Sequence, residues 1–165
     1  MKGMTEIVKT IARFLAGFIF LFGVYIILYG HLTPGGGFAG GVTIACSFIL
    51  LTLAYGKEVA LRKMSYRTAA ILDSSGALIF LILAFLGIIG GFFFLNFLPK
   101  GESFHLFSAG IIPLCNIAIG IKVGASLFVV FIALAVVRIV THKGKKVFFT
   151  SEELEVERKS ENKKV

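Results

Sequence analysis

The sequence has little of what a water-soluble domain is built from. Asp, Glu, Lys and Arg make up 16% of its 165 residues, against about a quarter in soluble domains. Hydrophobic residues make up 57%. From Phe14 to Gly56 none of the four charged residue types occurs, and between Asp73 and Lys100 none occurs again. The solvent for most of this chain is therefore lipid. Tryptophan is absent, proline occurs three times and cysteine twice. Cys46 and Cys115 stand singly in apolar stretches without Cys-x-x-Cys spacing, so they read as small buried hydrophobes and not as a disulfide or a metal site. No His/Cys/Glu cluster is present from which to build an active site. No metal, no cofactor and no catalysis are expected.

What the sequence does have is long apolar runs and a strong placement of positive charge. A crossing needs roughly 20 residues, so the length allows four or five. The run between Arg13 and Lys57 is about twice one crossing, and Thr33-Pro34-Gly35-Gly36-Gly37 at its midpoint cannot continue a helix. It predicts a hairpin of two helices, at about 7–30 and 37–55. A third helix is expected at about 68–97, longer than a bilayer requires and hence tilted or extended beyond it. A fourth is expected at about 116–140, preceded by a kinked or re-entrant piece near Gly110 and Pro113. The basic residues Lys2, Lys9 and Arg13 precede an apolar run too long for a signal peptide and lacking a small-x-small cleavage site, so the run reads as an uncleaved first span.

The net charge of +8 follows from topology and not from nucleic-acid binding. With four spans, all 17 basic residues except Lys100 and Lys122 fall on one side. The positive-inside rule makes that side the cytoplasm. The expected architecture is thus an all-α integral membrane protein of four transmembrane helices with both termini cytoplasmic, comprising a membrane domain over 1–147 and a charged tail over 148–165. The expected location is the cell membrane of a prokaryote.

Gly35-Gly36-Gly37-Phe38-Ala39-Gly40 fits G-x-G-x-x-G formally, but a dinucleotide site needs a strand before it and a βαβ unit around it. The content of the segment is instead two overlapping small-xxx-small pairs, Gly36/Gly40 and Gly37/Gly41, which let another helix approach closely. Gly87/Gly91 and Gly120/Gly124 repeat the pattern. So many smooth faces suggest a subunit packed among other membrane subunits. Two charges lie inside spans. Lys122 either snorkels to the interface or faces protein and tunes an ion or proton route. Asp73, one turn into the third helix, is either a carboxylate favoured by the helix dipole or a station on a sodium or proton path. His31 and His105 near the outer surface read as passive, and Asn116 as satisfying backbone groups freed by a kink at Pro113.

The segment His31-Leu32-Thr33-Pro34-Gly35-Gly36-Gly37-Phe38, followed by Gly40-Gly41, resembles the signature of the MnhB/MrpB family, one of the membrane components of the multisubunit Mrp-type (Mnh) sodium/proton antiporters. Ile112-Pro113-Leu114-Cys115-Asn116, running on to Gly120-Ile121-Lys122-Val123-Gly124, is similar to the Ile-Pro-Leu…Gly-x-Lys-Val pattern near that family's last helix. The likeness covers about Ile7 to Val140. The same kind of component occurs in the antiporter-like arm of archaeal membrane-bound hydrogenases and related respiratory complexes. The resemblance implies a non-catalytic accessory subunit that supports assembly and Na+/H+ translocation, with other membrane subunits as partners. It points to Thr33, Pro34, Gly35, Gly36, Gly37, Phe38 and Lys122; Asp73 lies outside both motifs. A purely structural scaffold and a self-sufficient small transporter are the rival readings.

Overall fold

The computed structural model describes residues 4–56, 59, 61–62, 64–99, 101–102, 105, 108–142 and 145–150. It contains four long helices: α1 Glu6–Leu28, α2 Gly36–Tyr55, α3 Tyr66–Ile89 and α4 Ile112–Val136. All four are long and apolar enough to cross a membrane. The shortest, α2 with 20 residues, rises about 30 Å, the thickness of the hydrocarbon core.

Each helix starts and stops for a local reason. The α1–α2 turn passes through Gly35 and Gly36 at φ of 139° and 67°, conformations that a Cβ disfavours. Helix α3 starts on Ser65, whose Oγ accepts from Thr68 N at 3.2 Å, an N-cap bond. It stops at Ile89 and not at the expected Phe97, because Gly90 and Gly91 end it. Gly91 has φ 106°, and the chain turns back so that Phe94 N donates to Ala84 O at 3.2 Å.

Helix α4 differs at both ends from the expected 116–140. Pro113 lies in its first turn, where a missing N–H costs nothing. The residues from Ile112 to Ile121 are therefore the opening of a continuous helix and not a re-entrant piece. The residue before it, Ile111, donates its N–H to Asn96 Oδ1 at 3.2 Å. At the other end the β-branched run Val137-Arg138-Ile139-Val140-Thr141 favours extended backbone. It forms β1, Val137–His142, paired antiparallel with β2, Lys145–Thr150, in a register that sets Val137 opposite Thr150 and His142 opposite Lys145. The membrane part is all-α, and this hairpin is an element that the hydrophobic pattern did not reveal. Most of the expected tail, 151–165, lies outside the described residues.

The chain divides into two compact units, Met1–Val129 and Val130–Val165. Within the first, packing differs from a soluble core: most buried positions hold small residues, and many large apolar ones are exposed. Ala12, Ala16, Ala45, Ala54, Ala69, Ala84, Ala118 and Ala125 are buried, whereas Phe14, Phe18, Leu21, Phe85 and Ile89 are exposed. Lipid supplies no hydrophobic force between helices, so close backbone approach through small residues does the packing.

Helices α1 and α2 form an antiparallel pair. It is tied at one end by Met4 N donating to Ala54 O at 3.2 Å and by Tyr55 Oη donating to Lys9 O at 3.1 Å. Helix α4 then runs parallel to α2. Gly37 lies against Asn116 and Gly41 against Gly120, and Phe48 packs on Phe128 with ring centroids 5.8 Å apart.

Candidate functional site

The two intramembrane charges meet. Lys122 Nζ donates to Asp73 Oδ1 at 2.6 Å, joining α3 to α4. The same carboxylate oxygen accepts from Ser126 Oγ at 2.7 Å. Lys122 and Ser126 are four apart and so share one face of α4. Ser126 carries no charge and lies outside any motif, and only its spacing from Lys122 marks it in the sequence.

The approach of the two helices is set by Gly76, one turn after Asp73 on α3. A Cβ there would come within 2.8 Å of Ala118 O and 3.0 Å of Lys122 Cβ. Glycine at this position is what lets α3 and α4 lie close enough for the ion pair to be direct.

With α4 beginning at Ile112, Lys122 lies about 15 Å along the helix, deeper than a start at Asn116 would put it. Asp73 is about 10 Å into α3. Neither charge lies in the first turn of its helix. A lone charge at such a depth costs about 2.5–3.5 kcal/mol on insertion scales, and pairing offsets much of that. Yet the pair is not enclosed by this chain, since the Lys122 side chain is 46% and that of Asp73 37% exposed. The arrangement is a short ion pair whose outer side opens onto whatever covers the α3–α4 face. Chemically, a carboxylate so placed can hold a cation, and here it holds the Lys122 ammonium.

The glycine-turn residues have a different place. Gly37, Gly40 and Gly41 are buried inside this chain. A Cβ on Gly40 would meet Gly23 O at 2.8 Å, and one on Gly41 would meet Gly120 O at 2.8 Å. The small-residue faces of α2 are thus taken up by α1 and α4 and are not open for docking to other subunits. Gly120 likewise packs on Ile27, and Gly87 on the returning segment at Phe94 and Leu95.

Gly35 has no side chain with which to cap α2. Asn116 supplies the cap from α4, its Oδ1 accepting from Gly37 N at 3.3 Å. There is no kink for Asn116 to serve; it closes the start of another helix. Thr33 Oγ1 donates to Tyr29 O at 3.0 Å, while Phe38 is 64% exposed and Pro34 is exposed as well. His31 Nε2 donates to His105 O at 3.3 Å, bringing the two outer histidines together. Among the described residues no group of three or more His, Cys, Asp or Glu is placed to hold a metal.

A family model described as a domain related to the MnhB subunit of Na+/H+ antiporter matches residues 7–129, which include the glycine turn, Asp73 and Lys122. An uncharacterized protein of Methanocaldococcus jannaschii is 36% identical over 150 residues, covering 86% of this chain and 56% of that protein. A Staphylococcus aureus protein carrying the name putative antiporter subunit mnhB2 is 34% identical over 64 residues, covering 39% of this chain and 45% of its own length. The chain therefore spans about half the length of the curated relatives it matches. Among solved structures, a chain of the membrane-bound sulfane sulfur reductase, an archaeal respiratory membrane complex, superposes with a TM-score of 0.66. It is 34% identical, over 77% of this chain and 58% of that one. Four membrane-length helices and a family match over most of its length place this multi-pass prokaryotic membrane protein in the family of domains related to the MnhB subunit of Na+/H+ antiporters.

Proposed function

We propose that this chain is a non-catalytic accessory subunit of an antiporter-like membrane module, in which the Asp73–Lys122 pair stands beside the route taken by Na+ or H+. The observation that carries the reading is the direct bond between two opposite charges inside apolar spans, 2.6 Å long and open on one side. A structural tie would serve as well or better if it were apolar, because a buried ion pair is weak evidence of stabilisation. A pair that a passing cation perturbs has a reason to be ionic. The partners are other membrane subunits, either of a stand-alone sodium/proton antiporter or of a redox-driven complex like the one that holds the structural relative. Both termini lie in the cytoplasm, on the basic side of the bilayer.

The scaffold reading has its own support in the glycine turn. Its buried residues Gly37, Gly40 and Gly41 hold α1, α2 and α4 together within the chain, so they serve the fold of the subunit itself, and the ion route is assigned to the charged pair alone. Lys122→Ala, introduced into the assembled complex, separates the two readings. Sodium-dependent proton flux per assembled complex falls if the pair serves transport. It stays constant if the pair only holds helices together.

A further inference from the structure

Near the end of the α1–α2 hairpin that carries Lys9 and Tyr55, a trough of about 420 Å³ opens between the two helices, lined chiefly by Arg13, Gly17, Phe20, Phe48, Leu51 and Tyr55. Its floor is apolar and its volume falls in the range of small-molecule sites. Gly17 makes the room. Gly23, Gly40, Gly41 and Gly76 each sit where a Cβ would meet backbone at about 3 Å or less, whereas a Cβ on Gly17 would meet nothing within 4 Å. A glycine inside a helix weakens it relative to alanine, and among the described residues no packing accounts for one here.

The lip of the trough is cationic. Lys9 is already paired with Glu6 at 2.7 Å, but among the described residues Arg13 takes part in no ion pair. Arg13, Ala16, Gly17 and Phe20 recur at helical spacing along the face of α1 that looks onto Phe48, Leu51 and Tyr55 of α2. A cation thus stands at one end of an apolar slot that runs along the spans.

We infer that this trough binds an anionic phospholipid, its phosphate on the Arg13 guanidinium and one acyl chain lying over Gly17 between Phe20, Phe48 and Leu51. Guanidinium matches phosphate in geometry as well as charge. The two parts of the slot match the two parts of an amphiphile in the order in which a bilayer presents them. An apolar helix of a neighbouring subunit would use the space at Gly17 but would leave the Arg13 charge without a counterpart.

Native mass spectrometry of the full chain in detergent, titrated with phosphatidylglycerol and with phosphatidylcholine, tests this. The wild type is expected to retain phosphatidylglycerol preferentially. R13Q, an exposed change that leaves the fold intact, should reduce that preference by about fivefold, the weight of one basic residue at an anionic surface. G17L should weaken the binding of both lipids by filling the slot. Equal binding of the two lipids by the wild type would overturn the inference, as would an unchanged preference in R13Q. Unaltered lipid binding by G17L together with a lower yield of assembled complex would assign the slot to a partner helix and overturn it as well.

Discussion

Asn116 of α4 caps α2: its side-chain oxygen accepts the Gly37 N–H at 3.3 Å, across 79 residues of sequence. The helix that this cap closes begins in a run of glycines, and its cap-position residue, Gly35, has no side chain to offer. Two separate features of the sequence, the glycine turn and the polar residue after Pro113, are thus one structure. Asn116→Leu removes the acceptor and leaves Gly37 N without that partner, an expected loss of about 1 kcal/mol. Gly37→Ala is expected to cost more, roughly 1–3 kcal/mol, because its Cβ would press on the Asn116 backbone. Thermal unfolding in detergent should rank wild type above Asn116→Leu and Asn116→Leu above Gly37→Ala. The reverse order of the two variants would contradict the packing described.

Gly76 gives a way to disturb the ion pair without touching either charge. An alanine there meets Ala118 O and Lys122 Cβ, so α3 must shift away from α4. Gly76→Ala should lower sodium-dependent proton flux per assembled complex severalfold while Asp73 and Lys122 are both intact. Ile71→Ala, at an exposed position on the same helix, should leave flux unchanged. Equal flux in the two variants would mean that the spacing of α3 and α4 does not matter to transport.

The orientation proposed from the charge distribution is open to direct labelling. The proposal that both ends are cytoplasmic predicts that a membrane-impermeant maleimide reacts in intact cells with a cysteine placed at Glu102. It should react with one placed at Met4 only after permeabilisation. Cys46 and Cys115, which carry free thiols and lie within α2 and α4, are replaced in the background. Labelling of Met4→Cys from outside would invert the topology and remove the positive-inside argument.

Some of this architecture was legible in the sequence and some was not, for identifiable reasons. Four spans could be read because long apolar runs of membrane length are unmistakable, and the Thr33–Gly37 break could be read because its glycines and proline cannot continue a helix. The ends of α3 and α4 were harder. Hydropathy continues through Phe92, Phe93 and Phe94, so it hid the stop at Gly90–Gly91. Pro113 reads equally as a kink or as a first turn until the start of the helix is known.

The meeting of Asp73 with Lys122 needed knowledge that α3 and α4 are neighbours and of their rotation about their axes. Periodicity cannot supply that for helices that are apolar nearly all round. The inward direction of the α2 glycines was hidden for the same reason, and small-xxx-small spacing alone does not say whether the approaching helix belongs to the same chain. Ser126 came into view only once its partner oxygen was located.

The central claim is that the Asp73–Lys122 pair serves transport and not merely cohesion. The most direct measurement compares Lys122→Met with the double variant Asp73→Asn/Lys122→Met, reading both the yield of assembled complex and the sodium-dependent proton flux per complex. The single change leaves a carboxylate unpaired among apolar helices. It should cost stability on the order of 1–3 kcal/mol, less than for a fully enclosed pair because both side chains are over a third exposed. The double change removes both charges and should restore assembly while flux stays low. Flux that recovers together with assembly in the double variant would contradict the account.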